Sequence, residues 1–92
     1  MENGWLRCKV LPGMFSNERL VVIEAPMRGE IAWILVDSAL VDAVEAPQHG
    51  QAVAGRLRVQ IHQHGDSATV MLPVASQEAG RFISVPAEFV AS

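Results

Sequence analysis

Apolar and polar residues alternate along several short stretches of the chain with the two-residue period of β-strands. The first stretch, residues 5–11, places three apolar side chains on one face: Leu6, Cys8 and Val10. Its other face carries Arg7 and Lys9. Further strands are predicted over residues 20–25, 30–37, 54–64, 67–74 and 81–85, with turns at 26–29 and 77–80. The pattern is typical of a small all-β barrel or sandwich, in one domain spanning residues 1–92.

The clearest signal is a β-hairpin over residues 54–74. Its first strand points Leu57, Val59 and Ile61 to one side and a polar set to the other: Arg56, Arg58, Gln60, His62 and His64. A turn at His64-Gly65-Asp66 returns the chain, and the alternation resumes from Ser67.

The strands predicted at residues 20–25 and 30–37 are apolar on both faces, although a solvated antiparallel sheet alternates. Half of the 92 residues are hydrophobic, and so small a domain leaves much of its surface exposed. Another chain covering these strands is the preferred explanation, so a homo-oligomer or a second protein is expected as partner. The alternative is that Ala and Val inflate the hydrophobic fraction.

Residues 37–46 allow two interpretations. Asp37 or Ser38 is suited to cap a short helix that ends before Pro47. Isolated helices of two turns are marginal, so a short turn or an extended segment is favoured.

A cytoplasmic protein is expected, because the single cysteine, Cys8, cannot form an intramolecular disulfide. The N-terminal residues show no secretory signal, and no apolar run reaches the length of a membrane span.

The residues predict no enzyme and no cofactor. Arg7 and Lys9 flank Cys8, but in a strand they point to the opposite face and cannot activate its thiol. The serines lie in no nucleophile motif, and no glycine-rich phosphate loop is present.

His62 and His64, two apart on one face, make metal binding an alternative, with His49 and Cys8 as further ligands. A plain polar stripe is the favoured interpretation.

A basic face at Arg56, Arg58, His62 and His64 makes nucleic-acid binding a second alternative. The net charge of −3 argues mildly against such a partner. No aromatic residue is interleaved with the arginines along this strand, so a stacking platform is not expected.

Large apolar residues outside the alternating pattern are candidates for partner binding. Trp33 lies within an apolar strand and is expected in the core or in an interface. Met14 and Phe15 fall in a predicted loop, where such residues normally pack beneath the barrel; if exposed, they would anchor a contact.

The C-terminal residues 80–90, with Pro86, Phe89 and Val90, resemble the ending of Src-homology-3-like barrels. Such barrels close with a strand, then a Pro-x-x-aromatic-Val sequence that forms one turn of 3₁₀ helix before the last short strand. The resemblance implies a partly open barrel of five or six antiparallel strands, of the type seen in small bacterial proteins. It also implies that Pro86 and Phe89 occupy groove-lining positions, although the chain has no tyrosine to line the rest of a proline-peptide groove.

The sequence therefore predicts a non-catalytic protein-interaction module that self-associates through its doubly apolar strands. A nucleic-acid-associated barrel using Arg56 and Arg58 with His62 and His64 is the first alternative, and a metal-binding protein using the two histidines is the second.

Overall fold

The computed structural model describes residues 1–25, 30–43, 45–76 and 80–92. Its strands are β1 (Glu2–Pro12), β2 (Glu18–Ala25), β3 (Glu30–Asp37), β4 (Val41–Ala43), β5 (Val53–His64), β6 (Ser67–Ser76), β7 (Gly80–Pro86) and β8 (Val90–Ala91). Single turns of 3₁₀ helix, Ser38–Leu40 and Ala87–Phe89, precede β4 and β8. The all-β prediction is confirmed: the six long strands match those expected, β8 is the last short strand that the resemblance implied, and β4 is additional. The turn predicted at residues 26–29, and all but Gly80 of the turn predicted at 77–80, lie outside the described residues.

The eight strands form one strongly curled antiparallel sheet, a half-barrel in which the long strands follow the order β3-β2-β1-β5-β6-β7. The first strand is central, because β1 pairs with β2 and β5 and, at residues 5–6, with β8. On its other side β5 pairs first with β4 and then with β6. An irregularity in the β6–β7 pairing between Met71 and Ser76 helps the sheet to curl. All described strands thus share one concave side.

The core fills this concave side with the inward-facing residues of every long strand. The fully buried large side chains are Leu6, Val10, Val21, Ile23, Leu57, Val70, Leu72, Ile83 and Val85. Each contributes roughly 1.5–3 kcal/mol through its removal from water. The alternation predicted for β1 and β5 is confirmed, since Leu6, Cys8 and Val10 are buried while Arg7 and Lys9 are exposed.

The predicted hairpin of residues 54–74 is confirmed as β5 and β6, with His64 opposite Ser67. Gly65 takes a φ of 69° at the first central position of the turn, where a type II′ turn favours glycine. Such a turn matches the twist of the two strands and fixes their register.

The ambiguous segment after β3 is a short turn followed by an extended strand, as the favoured interpretation stated. Asp37 accepts a hydrogen bond from the backbone N–H of Ala39 at 2.8 Å and caps the single 3₁₀ turn. The chain then pairs with β5 as β4, from Val41 to Ala43. Val44 is outside the described residues.

The C-terminal ending takes the form that the resemblance implied, with Pro86 followed by one 3₁₀ turn and the short strand β8. The backbone N–H of Ala87 donates to the carbonyl of Asp66 at 2.9 Å and ties this ending to the β5–β6 turn. The approach of β8 to β1 is close enough to require a glycine. A Cβ on Gly4 would lie 2.6 Å from the carbonyl oxygen of Ala91 and would also meet the Ile61 side chain.

Cys8 faces the core, and burial raises the pKa of its thiol from 9.0 to about 12. The neighbouring cations Arg7 and Lys9 project from the opposite side of β1, where they cannot offset this effect. The thiol is therefore protonated at neutral pH.

No helix within the described ranges has the length and apolar character needed to cross a bilayer.

Candidate functional site

The outer face of the sheet, opposite the core, divides into two halves of different chemistry. The strand register aligns Trp33 with Val22, Val22 with Lys9, and Lys9 with Ala54 in one row across β3, β2, β1 and β5. The apolar half lies on β2 and β3 and comprises Leu20, Val22, Ile31, Trp33 and Leu35. The basic half lies on β1 and β5 and comprises Trp5, Arg7, Lys9, Arg56 and Arg58.

The apolar half exposes large side chains at successive outward positions of β3. Ile31 is 60 % exposed, Trp33 48 % and Leu35 42 %. Among the described strands, β3 is the last in the sheet order and is hydrogen-bonded to β2, which adds the half-buried Leu20 and Val22. Both faces of β3 are apolar, as predicted, and Trp33 lies on the outer face, outside the core.

Met14 and Phe15, in the loop between β1 and β2, are 84 % and 67 % exposed. Of the two alternatives for these residues, packing beneath the barrel or exposure, the structure shows exposure. The loop is closed by its polar atoms: the N–H of Met14 donates to a Glu18 carboxylate oxygen at 2.9 Å, and Gly13 donates to the Glu18 carbonyl at 3.1 Å. These bonds fix the loop with both apolar side chains in solvent, at the end of the sheet where Leu20 pairs with Leu35.

The basic half contains an aromatic ring beneath two guanidinium groups. The guanidinium carbon of Arg56 lies 4.5 Å from the centre of the Trp5 ring, and that of Arg58 lies 5.2 Å away. The register explains the cluster, since Trp5 stands directly opposite Arg58 across the β1–β5 pairing. Each such contact is worth roughly 0.5–1 kcal/mol at an exposed site. The strand of the arginines itself has no interleaved Phe, Trp or Tyr, as noted from the sequence, but β1 places Trp5 beside them.

A second stacked pair continues the basic half toward the C-terminal 3₁₀ turn. The guanidinium carbon of Arg7 lies 3.9 Å from the centre of the Phe89 ring, and Phe89 packs against the core beneath it. Phe89 is therefore covered on its outward side. Pro86, the other groove position that the resemblance implied, lies across the sheet opposite Ser67.

Two carboxylates pair with the basic half. Asp42 from β4 accepts from Arg56 at 2.9 Å and 3.0 Å, and Glu24 lies 3.9 Å from Lys9. Within the part of the chain that the structure describes, Arg7 and Arg58 form no ion pair. The half therefore carries a local excess of positive charge in a protein of net charge −3.

His62 and His64 share the outer face of β5 with the arginines but lie toward its far end. Their ring centres are 5.8 Å apart. Both ring nitrogens of His64 lie 3.0 Å from hydroxyl oxygens, those of Thr69 and Ser67. Since six strand residues span about 20 Å, His64 is remote from Arg58. Among the described residues, no group of three or more His, Cys, Asp or Glu side chains converges as a metal site would require.

Sequence reasoning found Arg56 and Arg58 but missed Trp5 and Arg7 as their neighbours. The missing signal was the β1–β5 register, which pairs residues that lie some fifty positions apart in the chain. The outward position of Arg7 was visible in the alternation, but its position opposite Arg56 was not. Comparison with protein-family models, with curated proteins and with solved structures finds no significant match.

Proposed function

We propose that this protein is a non-catalytic interaction module that forms a homodimer through the apolar half of its outer face. The observation that carries the proposal is the run of exposed Ile31, Trp33 and Leu35 along the last strand of the sheet. Such a contiguous patch is more typical of an interface than of a solvated monomer surface. Trp33, a large aromatic at the middle of the run, has the character of an interface anchor.

A second copy of the chain suits the polar margin of this patch. Lys9 and Glu24 meet at the border between the halves in a loose pair, with both side chains 63 % exposed. In a two-fold contact, the same surface of each copy meets. The Lys9 and Glu24 of one copy therefore face a surface that also carries a lysine and a glutamate. The border charges are thus self-complementary, and the apolar centre is flanked by groups that discourage misaligned docking.

The barrel is proposed to be Src-homology-3-like, and its ending at Pro86, Phe89 and Val90 supports that assignment. The proline-peptide groove of the signalling members is not part of the proposal. The chain contains no tyrosine, and Arg7 covers the ring of Phe89. A cytoplasmic location accords with the lone, buried and protonated thiol of Cys8.

The proposal is tested by light scattering coupled to size exclusion, over a concentration series that reaches the high micromolar range. The wild type is expected to run as a dimer, and Trp33→Asp combined with Ile31→Asp as a folded monomer. Phe82→Asp is the matched control, because Phe82 is 54 % exposed on β7, outside the apolar half.

A wild type that is monomeric at every concentration contradicts the proposal. So does a dimer that persists in the doubly substituted protein, or that Phe82→Asp disrupts equally. Circular dichroism of each variant separates a lost interface from a lost fold.

A further inference from the structure

We propose that the basic half binds single-stranded nucleic acid, with Arg7, Arg56 and Arg58 holding successive phosphates. This inference concerns different residues from the proposed dimer surface and goes beyond that function. Four features of the basic half support it: the concentration of charge, the opposition of like charges, the contact of the guanidinium groups with aromatic rings, and the spacing and shape of the face.

The basic half is positively charged, although the chain as a whole has a net negative charge. Arg7, Lys9, Arg56 and Arg58 are four of the seven Lys and Arg residues in a chain of net charge −3. Only Asp42 and Glu24 pair with them among the described residues. A concentrated positive face attracts polyanions even when the whole protein is acidic.

Arg7 and Arg56 stand directly opposite each other across the β1–β5 pairing. Like charges in such cross-strand positions repel, which costs stability unless an anion lies between them. Asp42 compensates Arg56 from the far side of β5, but it does not reach Arg7. Successive phosphates bound beside the two guanidinium groups would relieve the repulsion between Arg7 and Arg56.

Each of the three guanidinium groups lies against an aromatic ring before any ligand arrives. Arg56 and Arg58 lie over Trp5, and Arg7 lies over Phe89. A guanidinium that rests on a ring through its face keeps in-plane N–H donors for phosphate oxygens. Arg7 and Arg58 form no ion pair among the described residues, whereas Arg56 already donates to Asp42 through Nε and Nη2. Because the side chains are already ordered, less conformational entropy is lost on binding.

The spacing and shape of the face favour an extended single strand. Arg56 and Arg58, two apart on β5, lie about 7 Å apart along the strand, a separation similar to that of successive phosphates in an extended chain. The outer side of a curled sheet is convex, so a flexible strand can follow it while a rigid duplex touches little of it. Phe82, exposed on the same side of the sheet beyond Met71 and Gln60, offers a ring on which a base can stack.

The test measures fluorescence polarisation of labelled oligouridylate RNA and oligothymidylate DNA against salt concentration. Both are expected to bind, because phosphates carry the contact. Three phosphate contacts predict a slope of about −2 for the logarithm of the association constant against that of the salt concentration. Arg58→Glu is expected to weaken binding at least tenfold, and Arg58→Gln is expected to reduce the slope by about 0.7.

Arg19→Glu is the matched control, since it changes the net charge equally but lies outside the basic half, where Arg19 bonds backbone carbonyls of Ser16 and Glu18. It is expected to leave affinity within about twofold of the wild type, the loss that net charge alone would cause. Equal weakening by Arg19→Glu and Arg58→Glu overturns the proposal.

No binding at low salt also overturns it. So does tighter binding of a duplex of matched length, or equal binding of an oligoglutamate of matched charge, which would indicate an acidic protein partner instead. Trp33→Asp with Ile31→Asp is expected to abolish the dimer and to retain binding to the single strand, whereas Arg58→Glu should have the reverse effect. The two proposals therefore fail independently.

Discussion

The two halves of the outer face rest on the same sheet and the same core, yet their side chains suggest different partners. On β1 and β5 the outward residues are charged or aromatic and satisfy one another by stacking and ion pairing. On β2 and β3 the outward residues of the apolar half are aliphatic side chains and the Trp33 indole, whose N–H is their one polar group. The first half keeps an excess of positive charge that its ion pairs do not offset, and the second is left open to water. The position of each strand matches this difference, since β1 and β5 lie inside the sheet and β3 lies at its end.

The largest expected difference in stability lies between the two sides of β3 itself. Ile34 is 3 % exposed and Leu35 is 42 % exposed. Ile34→Ala is expected to lower the free energy of unfolding by about 2–4 kcal/mol, because it leaves a cavity, and Leu35→Ala by less than about 1 kcal/mol. Urea denaturation at protein concentrations too low for association measures both. Equal losses would show that Leu35 is packed within one copy, so that the apolar half is not an open surface.

The close contact between β8 and β1 at Gly4 lies beside the basic half, because Ala91 pairs with Trp5. Gly4→Ala places a methyl group against the Ala91 carbonyl and Ile61, so β8 must move away from β1. A loss of about 1–3 kcal/mol is expected, together with a change in Trp5 fluorescence in a Trp33→Phe background. Asn3→Ala, one residue earlier, is the control and should change neither. An unchanged Gly4→Ala protein would show that the stacked arginines do not depend on β8.

A smaller effect on stability tests whether Arg7 and Lys9 leave the Cys8 thiol, on the other face of β1, unaffected. The thiol of Cys8 has a pKa of about 12 in the folded protein and 9.0 as its ordinary value. Above pH 9 the unfolded chain loses the thiol proton while the folded chain keeps it, so stability falls as the pH rises from 9 toward 12. Between pH 7 and pH 10 the wild type should lose about 1.4 kcal/mol more than Cys8→Ala, as measured by urea denaturation.

If Arg7 and Lys9 did activate this thiol, its pKa would be lowered. The stability of the wild type would then fall no more than that of Cys8→Ala between pH 7 and pH 10. Alkylation by iodoacetamide gives a second readout. The folded wild type should react slowly at pH 8, and the urea-unfolded chain should react rapidly.

The smallest expected change in stability comes from the ion pair at the edge of the basic half. Asp42 and Arg56 are both about half exposed, so Asp42→Asn should cost less than about 0.5 kcal/mol. The same substitution releases Arg56 and removes a nearby negative charge, so affinity for the oligonucleotide should rise a few-fold. Asp66→Asn, in the turn after β5, removes the same charge elsewhere and should leave the affinity near that of the wild type. A fall in affinity with Asp42→Asn would mean that Asp42 positions Arg56 for binding.

The sequence predicted what depends on one strand at a time. Alternation placed Leu6 and Arg7 on opposite sides of β1, and the double apolar character of β2 and β3 marked the open half of the face. Turn residues defined the β5–β6 hairpin through Gly65. Each of these signals lies within about ten residues of the feature it describes.

The parts that the sequence did not predict depend on contacts between distant segments. Trp5 joins Arg56 and Arg58 only through the β1–β5 register, which no local pattern specifies. For Met14 and Phe15 the sequence left burial and exposure open, and the hydrogen bonds of Met14 and Gly13 to Glu18 hold the loop away from the core. The resemblance implied the short strand β8, but its close approach to Gly4 of β1 follows from no local pattern.

The central place of β1 bears on how the protein is made. During translation β1 leaves the ribosome before the strands with which it pairs, and its longest pairing is with residues 53–61 and its last is with β8. Until those segments emerge, only the β1–β2–β3 meander can form, with the inward faces of Val21, Ile23 and Ile34 uncovered as well as the outward face of β3. The nascent chain therefore passes through a stage that is apolar on both sides, which is the kind of surface that molecular chaperones bind.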